Sequence, residues 1–156
     1  MRKVSFAEMN CSIAQTLEII GEWWTPLILR DCFLGVRRFD DFVQRLGISR
    51  NVLAARLDTL VDNGVLERRT YDAGRERHDY VLTEKGIALW PVLTAIRQWG
   101  DEWLLGEENA PMRLEHKTCG HITHAVPACE VCGERLDARS VRGVPGPGAP
   151  TSSVAG

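Results

Sequence analysis

The sequence lacks both long hydrophobic runs and a regular set of cysteines. No stretch approaches the roughly 18 apolar residues of a membrane-spanning helix. The first apolar segment, residues 11–21, is interrupted by Gln15 and Glu18, so it is a poor core for a signal peptide. The five cysteines are odd in number and unevenly spaced, unlike the disulfide framework of a secreted domain. We therefore expect a cytoplasmic protein that has no membrane partner.

An excess of positive charge is lacking as well. The formal net charge is -2 at pH 7, so the overall charge does not predict nucleic-acid binding. The charges are unevenly distributed, because residues 37–77 contain nine Arg and seven acidic residues, whereas residues 78–115 contain three basic and seven acidic residues. Cations that gather in the middle of the chain could serve one binding surface.

Helix signals begin near the N-terminus. Ser12, followed three residues later by Gln15, predicts a capping box at the start of a first helix. Thr25 as the N-cap and Pro26 as the first helical residue predict a second helix, and Gly35 lies just beyond its end. We expect the second helix to be mostly buried.

Two further helices are predicted in the middle of the chain. Apolar residues at helical spacing in RRFDDFVQRLG predict a helix that ends at Gly47. Ser49 predicts the N-cap of the next helix, which extends to about Asn63. Its apolar stripe comprises Leu53, Leu57, Leu60 and Val61. Only three residues separate the two helices, as in a helix-turn-helix pair.

A β-hairpin and a last helix are predicted after this pair. The runs VLERRTY and HDYVLTE flank a turn-rich stretch at residues 72–74, and the tip carries Arg75 and Arg77. Thr83 predicts the N-cap of a long helix over about residues 84–105. Pro91 inside that helix predicts a kink or a break.

This order of elements is typical of a winged helix-turn-helix, in which the second helix of the pair enters the major groove and the hairpin forms the wing. If the leucine stripe faces the core, Asn51, Val52 and Ala55 point outward. Asn can bind adenine, Arg can bind guanine or phosphate, and Ala can contact a thymine methyl group. The alternative is a small α+β domain whose arginines are merely solvated. The predicted DNA-binding residues are Arg37, Arg38, Ser49, Arg50, Asn51, Val52, Ala55, Arg56, Arg75 and Arg77.

Residues 10–103 also contain a specific series of motifs: WTPLILR, GVRRF, GISRNVL, YVLTEKG and IRQWG. In this order they resemble the HxlR-type winged helix-turn-helix transcriptional regulators. The resemblance implies a homodimeric, sequence-specific DNA-binding protein whose first and last helices form the dimer interface, with no catalytic activity. Two positions depart from the family pattern: Cys11-Ser12 stands where members carry Cys-Pro, and residues 22–24 stand where members carry Gly-Lys-Trp.

Two cysteines belong to this part of the chain. In several branches of the family the matching N-terminal cysteine is a thiol switch, and the resemblance transfers this role to Cys11 only. A thiol just before a helix N-terminus has its thiolate favoured by the helix dipole. The alternative is a small residue that packs the first helix, and Cys32 is expected to belong to the core. The expected effector is an oxidant, an electrophile or another small molecule.

The C-terminal segment contains two half-sites of one design. His116 and Cys119 form the first, Cys129 and Cys132 form the second, and each pair is followed directly by glycine. This is the spacing of zinc knuckles, in which glycine relieves the tight turn. Together the pairs supply one His and three Cys, which is a closed tetrahedral shell, so we expect structural zinc as a cofactor.

Other interpretations of this segment stay open. His121 or His124 could replace His116 as the fourth ligand, and Cys129 and Cys132 could instead form a disulfide. A thiol-redox or metal-handling enzyme centred on these cysteines is the alternative function, although no β-α-β context surrounds the C-x-x-C motif. A protein-binding adaptor that uses the zinc segment is a third function.

The predicted fold is mainly α with a small β-hairpin (α+β), that is, a winged helix-turn-helix with a zinc-ribbon-like C-terminal extension. We expect a homodimeric repressor that binds double-stranded DNA and is not an enzyme. The predicted organisation is a DNA-binding and dimerisation domain at 1–105, a linker at 106–115, a Cys/His-rich extension at 116–142 and a disordered tail at 143–156.

Overall fold

The structure is a computed structural model that describes residues 5–72 and 77–149. By its internal contacts the chain divides into two compact units, one that ends at Thr94 and one that begins at Ala95. The elements of the first unit, in chain order, are α1 (Ser12–Ile20), α2 (Trp24–Phe33), α3 (Phe39–Leu46), α4 (Arg50–Asp62), β1 (Leu66–Asp72), β2 (Arg77–Leu82), α5 (Glu84–Ile87) and the start of α6 (Trp90–Gly100).

One apolar core holds the first unit together. Leu53, Leu57 and Leu60 of α4 are fully buried, as is Phe42 of α3. Burial of a leucine side chain contributes about 1.5–3 kcal/mol, so this stripe fixes which side of α4 faces inward. The predicted combination of helices with a β-hairpin is confirmed. The buried core residues are Ile20, Ile28, Leu29, Phe42, Ile48, Leu53, Leu57, Leu60, Val65 and Leu66.

The start of α1 differs from the prediction. Cys11, and not Ser12, occupies the N-cap position, and it makes no side-chain capping bond. A capping box pairs the N-cap residue with a polar side chain three residues later. With Cys11 as the N-cap that residue is Ala14, which has no such side chain, and the Gln15 amide donates instead to the carbonyls of Ala7 and Met9. The capping-box prediction is therefore wrong.

The start of α2 also differs. The helix begins at Trp24 with Trp23 in the N-cap position, so Thr25 lies inside the first turn. Thr25 is buried, and its backbone N–H donates to the carbonyl of Glu22 at 2.8 Å. The prediction of Thr25 as the N-cap is therefore wrong by two residues. The end of the helix matches the prediction, since Gly35 follows it with a φ of 90°, a conformation that favours glycine.

The helix signals further along the chain are confirmed. Gly47 ends α3 in the left-handed conformation, and the Ser49 hydroxyl caps α4 by accepting from the N–H of Val52 at 3.4 Å. The Thr83 hydroxyl caps α5 by accepting from the N–H of Gly86 at 3.1 Å. The predicted long helix is broken between α5 and α6, just ahead of Pro91, as a proline in its interior predicts.

The predicted hairpin is an antiparallel β1–β2 pair in which Leu66 faces Leu82 and Arg68 faces Tyr80. The segment before α3 joins this ladder. The backbone N–H of Tyr80 donates to the carbonyl of Arg37 at 2.8 Å, and Arg38 forms a bridge with Asp79. The hairpin is therefore attached to the beginning of the helix-turn-helix and does not hang free.

The second unit contains the rest of α6, a π-helical turn at Asp101–Leu105 and a 3₁₀ turn at Glu107–Asn109. We call residues 106–149, which include this 3₁₀ turn, the two-hairpin segment. Its first hairpin is a short antiparallel pair of β3 (Leu114–Glu115) with β4 (Ile122–Thr123). A second, smaller hairpin contains a bridge between Ala128 and Arg135. In the part of the chain that the structure describes, no helix has the length and hydropathy needed to cross a bilayer.

A buried carboxylate ties α2 to α3. Asp31 is fully buried. Its oxygens accept from Nε of Arg30 at 2.9 Å and from Nε of Arg45 at 3.2 Å. The two arginine side chains remain about half exposed, so their positive charges are still solvated. The buried Asp31 carboxylate is therefore a paired ion and not an isolated one.

Replacement of this carboxylate should destabilise the first unit. We expect Asp31→Asn to lower the free energy of unfolding by about 1–3 kcal/mol, because charge-assisted hydrogen bonds to a buried group are lost. Urea denaturation followed by circular dichroism measures the change. Asp62→Asn, at an exposed position, is the matched control and should stay within about 0.5 kcal/mol of the parent. Equal effects of the two substitutions would contradict a special role for Asp31.

Candidate DNA-binding surface

The exposed face of α4 is the first component of the candidate site. Asn51, Val52 and Ala55 are exposed, as the leucine stripe predicts, and Ser49 and Arg50 are exposed at the helix start. The Ser49 hydroxyl is occupied by the N-cap bond to Val52, so it holds the helix end and is not free to contact a base without breaking that bond.

Three of the predicted arginines are brought together. Arg38, Arg50 and Arg77 line one open cleft between the start of α3, the start of α4 and β2. All three side chains are exposed. A cleft with cations from three different elements can hold phosphate oxygens on more than one side. The other residues that line it are Phe39, Asp40, Asp41, His78 and Tyr80.

Arg50 is positioned by two side chains that sequence reasoning did not single out. Its Nη1 lies 2.8 Å from the Asp40 carboxylate, and its guanidinium lies 4.9 Å from the centre of the Phe39 ring. An exposed ion pair contributes only about 0.2–1 kcal/mol, so a phosphate or a guanine could displace Asp40. The adjacent Phe39 and Asp40 in the motif RRFDDF were the available signal for this arrangement.

Arg38 also lines the cleft. Its Nε lies 3.9 Å from the carboxylate of Asp79 on β2, at the limit of an ion pair. The side chain is still about 60% exposed. The pair therefore orients the arginine along the hairpin.

Two predicted residues lie elsewhere in the first unit. Arg37 lines a separate, mostly apolar pocket with Cys32, Leu82 and Trp90. Side chains alternate between the two faces of extended backbone, so the neighbours Arg37 and Arg38 point to different sides. Arg56 lies on the flank of α4, where its Nη1 is 3.7 Å from the Glu22 carboxylate. The structure does not bring either residue into the cleft.

Arg75 lies outside the described residues. Arg77, the first residue of β2, pairs with Asp72 across the ladder. The register of the strands is interrupted between Thr70 and Asp72. Irregularities of this kind re-aim side chains at the end of a hairpin.

Comparison with known proteins shows the family to which the chain belongs. The family model of HxlR-like helix-turn-helix proteins matches residues 19–108. The chain belongs to this HxlR-like family. An uncharacterized HTH-type transcriptional regulator of Mycobacterium tuberculosis is 47% identical over 139 residues, which cover 88% of this chain and 87% of that protein. The HxlR-like relatives are thus described as transcriptional regulators and not as enzymes.

Solved structures agree with this assignment. The crystal structure of PA1607, a candidate transcription factor, is 36% identical with a TM-score of 0.79, and the match covers 90% of this chain and 99% of that one. The reduced form of HypR, described as a redox regulator, is 27% identical with a TM-score of 0.55, covering 59% of this chain and 92% of that one. The likeness to PA1607 therefore includes residues beyond the winged helix, whereas the likeness to HypR covers a smaller share of this HxlR-like chain.

The two cysteines of the first unit differ in environment. Cys11 is exposed at the N-cap position of α1. Cys32 packs against the core, and burial, together with the neighbouring Asp31 carboxylate, raises the pKa of its thiol to about 12. Thiolate is the reactive form of cysteine, so Cys32 is almost entirely unreactive at neutral pH.

The predicted metal ligands are brought together in two pairs. His116 Nδ1 lies 3.3 Å from Cys119 Sγ. In the second pair, the backbone N–H groups of Cys132 and Val131 point at the Cys129 sulfur and lower the pKa of its thiol. Within residues 5–72 and 77–149, no three His, Cys, Asp or Glu side chains are already arranged to hold a metal ion. His121 and His124 are exposed.

Proposed function

We propose that this HxlR-like regulator is a homodimeric repressor that binds a palindromic operator in double-stranded DNA. The observation that carries the proposal is the cleft lined by Arg38, Arg50 and Arg77, next to the exposed start of α4. The cleft supplies cations, and the adjacent helix supplies side chains that can distinguish bases. If these arginines were merely solvated surface residues, we would not expect three of them to line the same cleft.

The contacts divide by chemistry. Asn51 can bind adenine with two hydrogen bonds, Arg50 can bind guanine, and Ala55 allows close approach to a thymine methyl group. Arg38 and Arg77 bind phosphate, which fixes the position of the helix without reading sequence. Arg56 and Arg75 stay in this proposal as peripheral phosphate contacts, whereas Arg37, which points to a different side from Arg38, has no part in it.

The acidic residues of α4 decide how the helix enters the groove. Asp58 lies one turn beyond the predicted base contacts and is exposed. It is bound by the guanidinium of Arg68, which also lies 5.9 Å from the Tyr80 ring. This partner reduces the repulsion between Asp58 and the DNA backbone. The helix should nevertheless enter with its N-terminal end first.

Pairing of two chains is supported by exposed apolar side chains on the helices that the family resemblance implicates. On α1, Ile13 is 73% exposed. In the second unit, Ile96, Trp99 and Trp103 follow one another at helical spacing and are 56–66% exposed. Apolar faces of this kind are typical of protein interfaces. Two recognition helices in a symmetric dimer would read half-sites about one helical turn apart.

Regulation through Cys11 is the second part of the proposal. HypR, a structural neighbour, is described as a redox regulator, and Cys11 is an exposed thiol at the start of α1. Modification of a residue next to a pairing helix can change the dimer geometry and so weaken DNA binding. Because a dimer on a promoter excludes RNA polymerase, we expect release to increase transcription.

The DNA-binding surface predicts two kinds of variant. Arg38→Ala and Arg77→Ala should each weaken binding to all sequences and lower the slope of log affinity against log salt by about 1, because each removes a phosphate contact. Asn51→Ala should weaken only specific binding, by about 1–3 kcal/mol. Fluorescence anisotropy with the DNA upstream of the protein's own gene measures both effects.

Arg142→Ala, which changes an exposed arginine of the second unit, is the matched control for charge. It should leave the affinity and the salt slope unchanged. If Arg142→Ala had the same effect as Arg77→Ala, binding would depend on total charge and the cleft would not be the DNA site.

The pairing surface predicts a change of oligomeric state. Trp99→Asp should convert the dimer to a monomer and abolish specific DNA binding, because a charge is then desolvated at an apolar interface. Light scattering after size-exclusion chromatography measures the mass. Val144→Asp, at a side chain that is 71% exposed, is the control and should stay dimeric. A parent protein that is monomeric at micromolar concentration would contradict the proposal.

The two cysteines of the first unit give opposite predictions. Cys11→Ser should bind DNA normally but resist release by peroxide or a quinone. Cys32→Ser should be released like the parent protein, because a thiol with a pKa of about 12 is protonated at neutral pH. Anisotropy before and after treatment measures release. Normal release of Cys11→Ser would remove the switch from this residue.

A further inference from the structure

The two-hairpin segment contains no apolar core of its own. All residues from 106 to 149 are described, and none of them is buried. Ile122 and Val131, which could have formed a core, are exposed. Segments of this size that cannot bury enough apolar surface usually need a disulfide or a metal ion to hold a defined structure. All five cysteines of the chain are free, so no disulfide holds this segment.

The tips of the two hairpins have the same backbone geometry. In the first tip, the N–H of His116 donates to the carbonyl of His121, and the N–H of Gly120 donates back to the carbonyl of His116, at 2.9 and 2.7 Å. In the second tip, Cys129, Glu134 and Gly133 repeat these two bonds at the same spacing, both at 2.8 Å. Both glycines have a φ of 70–77°, which favours glycine. One local structure therefore occurs twice.

Each tip presents two ligands three residues apart. The 3.3 Å between His116 Nδ1 and Cys119 Sγ fits a shared metal, because Zn–N of about 2.0–2.1 Å and Zn–S of about 2.3 Å place two tetrahedral ligands about 3.5 Å apart. In the other tip, Cys129 and Cys132 are also three residues apart, on the backbone turn that repeats the first tip. These ligands are exposed or half-exposed, although unliganded cysteines are usually buried.

We propose a structural Zn²⁺ site in the two-hairpin segment, with one nitrogen and three sulfur ligands: His116, Cys119, Cys129 and Cys132. Nitrogen and thiolate ligands favour Zn²⁺ over the harder Mg²⁺ and Ca²⁺. Each tip already supplies half of the shell, so the metal acts by drawing the two halves together. With four protein ligands no coordination position stays open, which makes the site structural and not catalytic.

The loop between the two tips is attached to α6. Gln98 uses both ends of its amide on Ala125: its Nε2 donates to the Ala125 carbonyl at 2.9 Å, and its Oε1 accepts from the Ala125 N–H at 2.8 Å. Arg97 donates to the carbonyl of Met112 at 2.8 Å and pairs with Asp101 at 2.6 Å. Closure of the metal shell would therefore stiffen a segment that is bonded to α6 at two positions.

Metal content tests the site directly, without reference to DNA binding. The full chain is purified without chelator, incubated with a small excess of Zn²⁺, desalted and measured by elemental analysis. We expect about one zinc per chain, and background zinc in Cys119→Ser and in Cys129→Ser. Cys11→Ser and Cys32→Ser are the matched cysteine controls and should keep the full amount. Background zinc in the parent protein would overturn the site, as would full retention in both ligand variants.

Two further measurements keep the result independent of misfolding. Replacement of zinc by Co²⁺ should give the absorption of a tetrahedral thiolate complex, and a chelator should raise the number of reactive thiols by three.

His116→Ala should lose zinc, whereas His121→Ala and His124→Ala should keep it. Loss in His121→Ala or His124→Ala with retention in His116→Ala would overturn the assignment of the fourth ligand. Circular dichroism should show an intact winged helix in every variant.

Discussion

Burial of one stripe of leucines on α4 is the constraint on which the rest of the candidate site depends. Leu53, Leu57 and Leu60 are fully buried, and each contributes about 1.5–3 kcal/mol. Rotation of the helix by a quarter turn would expose them, at a cost comparable to the stability of a small domain. The same constraint presents Asn51 and Ala55 to solvent, so the recognition face is a consequence of the core and needs no contacts of its own.

The second constraint is the backbone pairing between the segment before α3 and the hairpin. The bond from the N–H of Tyr80 to the carbonyl of Arg37 puts β2 beside the start of the helix-turn-helix. Arg38, Arg50 and Arg77, which are far apart in the sequence, then line one cleft. A chain with a net charge of -2 can in this way gather three arginines at one cleft, because the placement of charges is independent of their sum.

Sequence patterns predicted the parts of the fold that local chemistry decides. Caps at Ser49 and Thr83, and the helix end at Gly47, depend on residues within one turn. The start of α1 was predicted one residue late, because the Ser12 cap signal does not show that the chain already turns between Met9 and Cys11. The start of α2 was predicted late because Thr25 belongs to the core, which a local signal does not show. The distribution of arginines depends on contacts between elements and was likewise beyond local patterns. Strand alternation separates Arg37 from Arg38, and the partner of Arg56 is Glu22 on another element.

The two units derive their order from different sources, and this difference has a thermodynamic consequence. Burial of apolar side chains holds the first unit, whereas residues 106–149 bury none and rely on backbone bonds and on the attachment of Ala125 to Gln98. Gln98 is the neighbour of Trp99 on α6, so a ligand that orders the hairpins acts on the helix that carries the exposed tryptophan. If pairing of two chains also orders this helix, metal binding and pairing are coupled. Such coupling is reciprocal: the metal increases the free energy of pairing by the same amount as pairing increases the free energy of metal binding. A metal in the two-hairpin segment would then affect DNA binding without touching DNA.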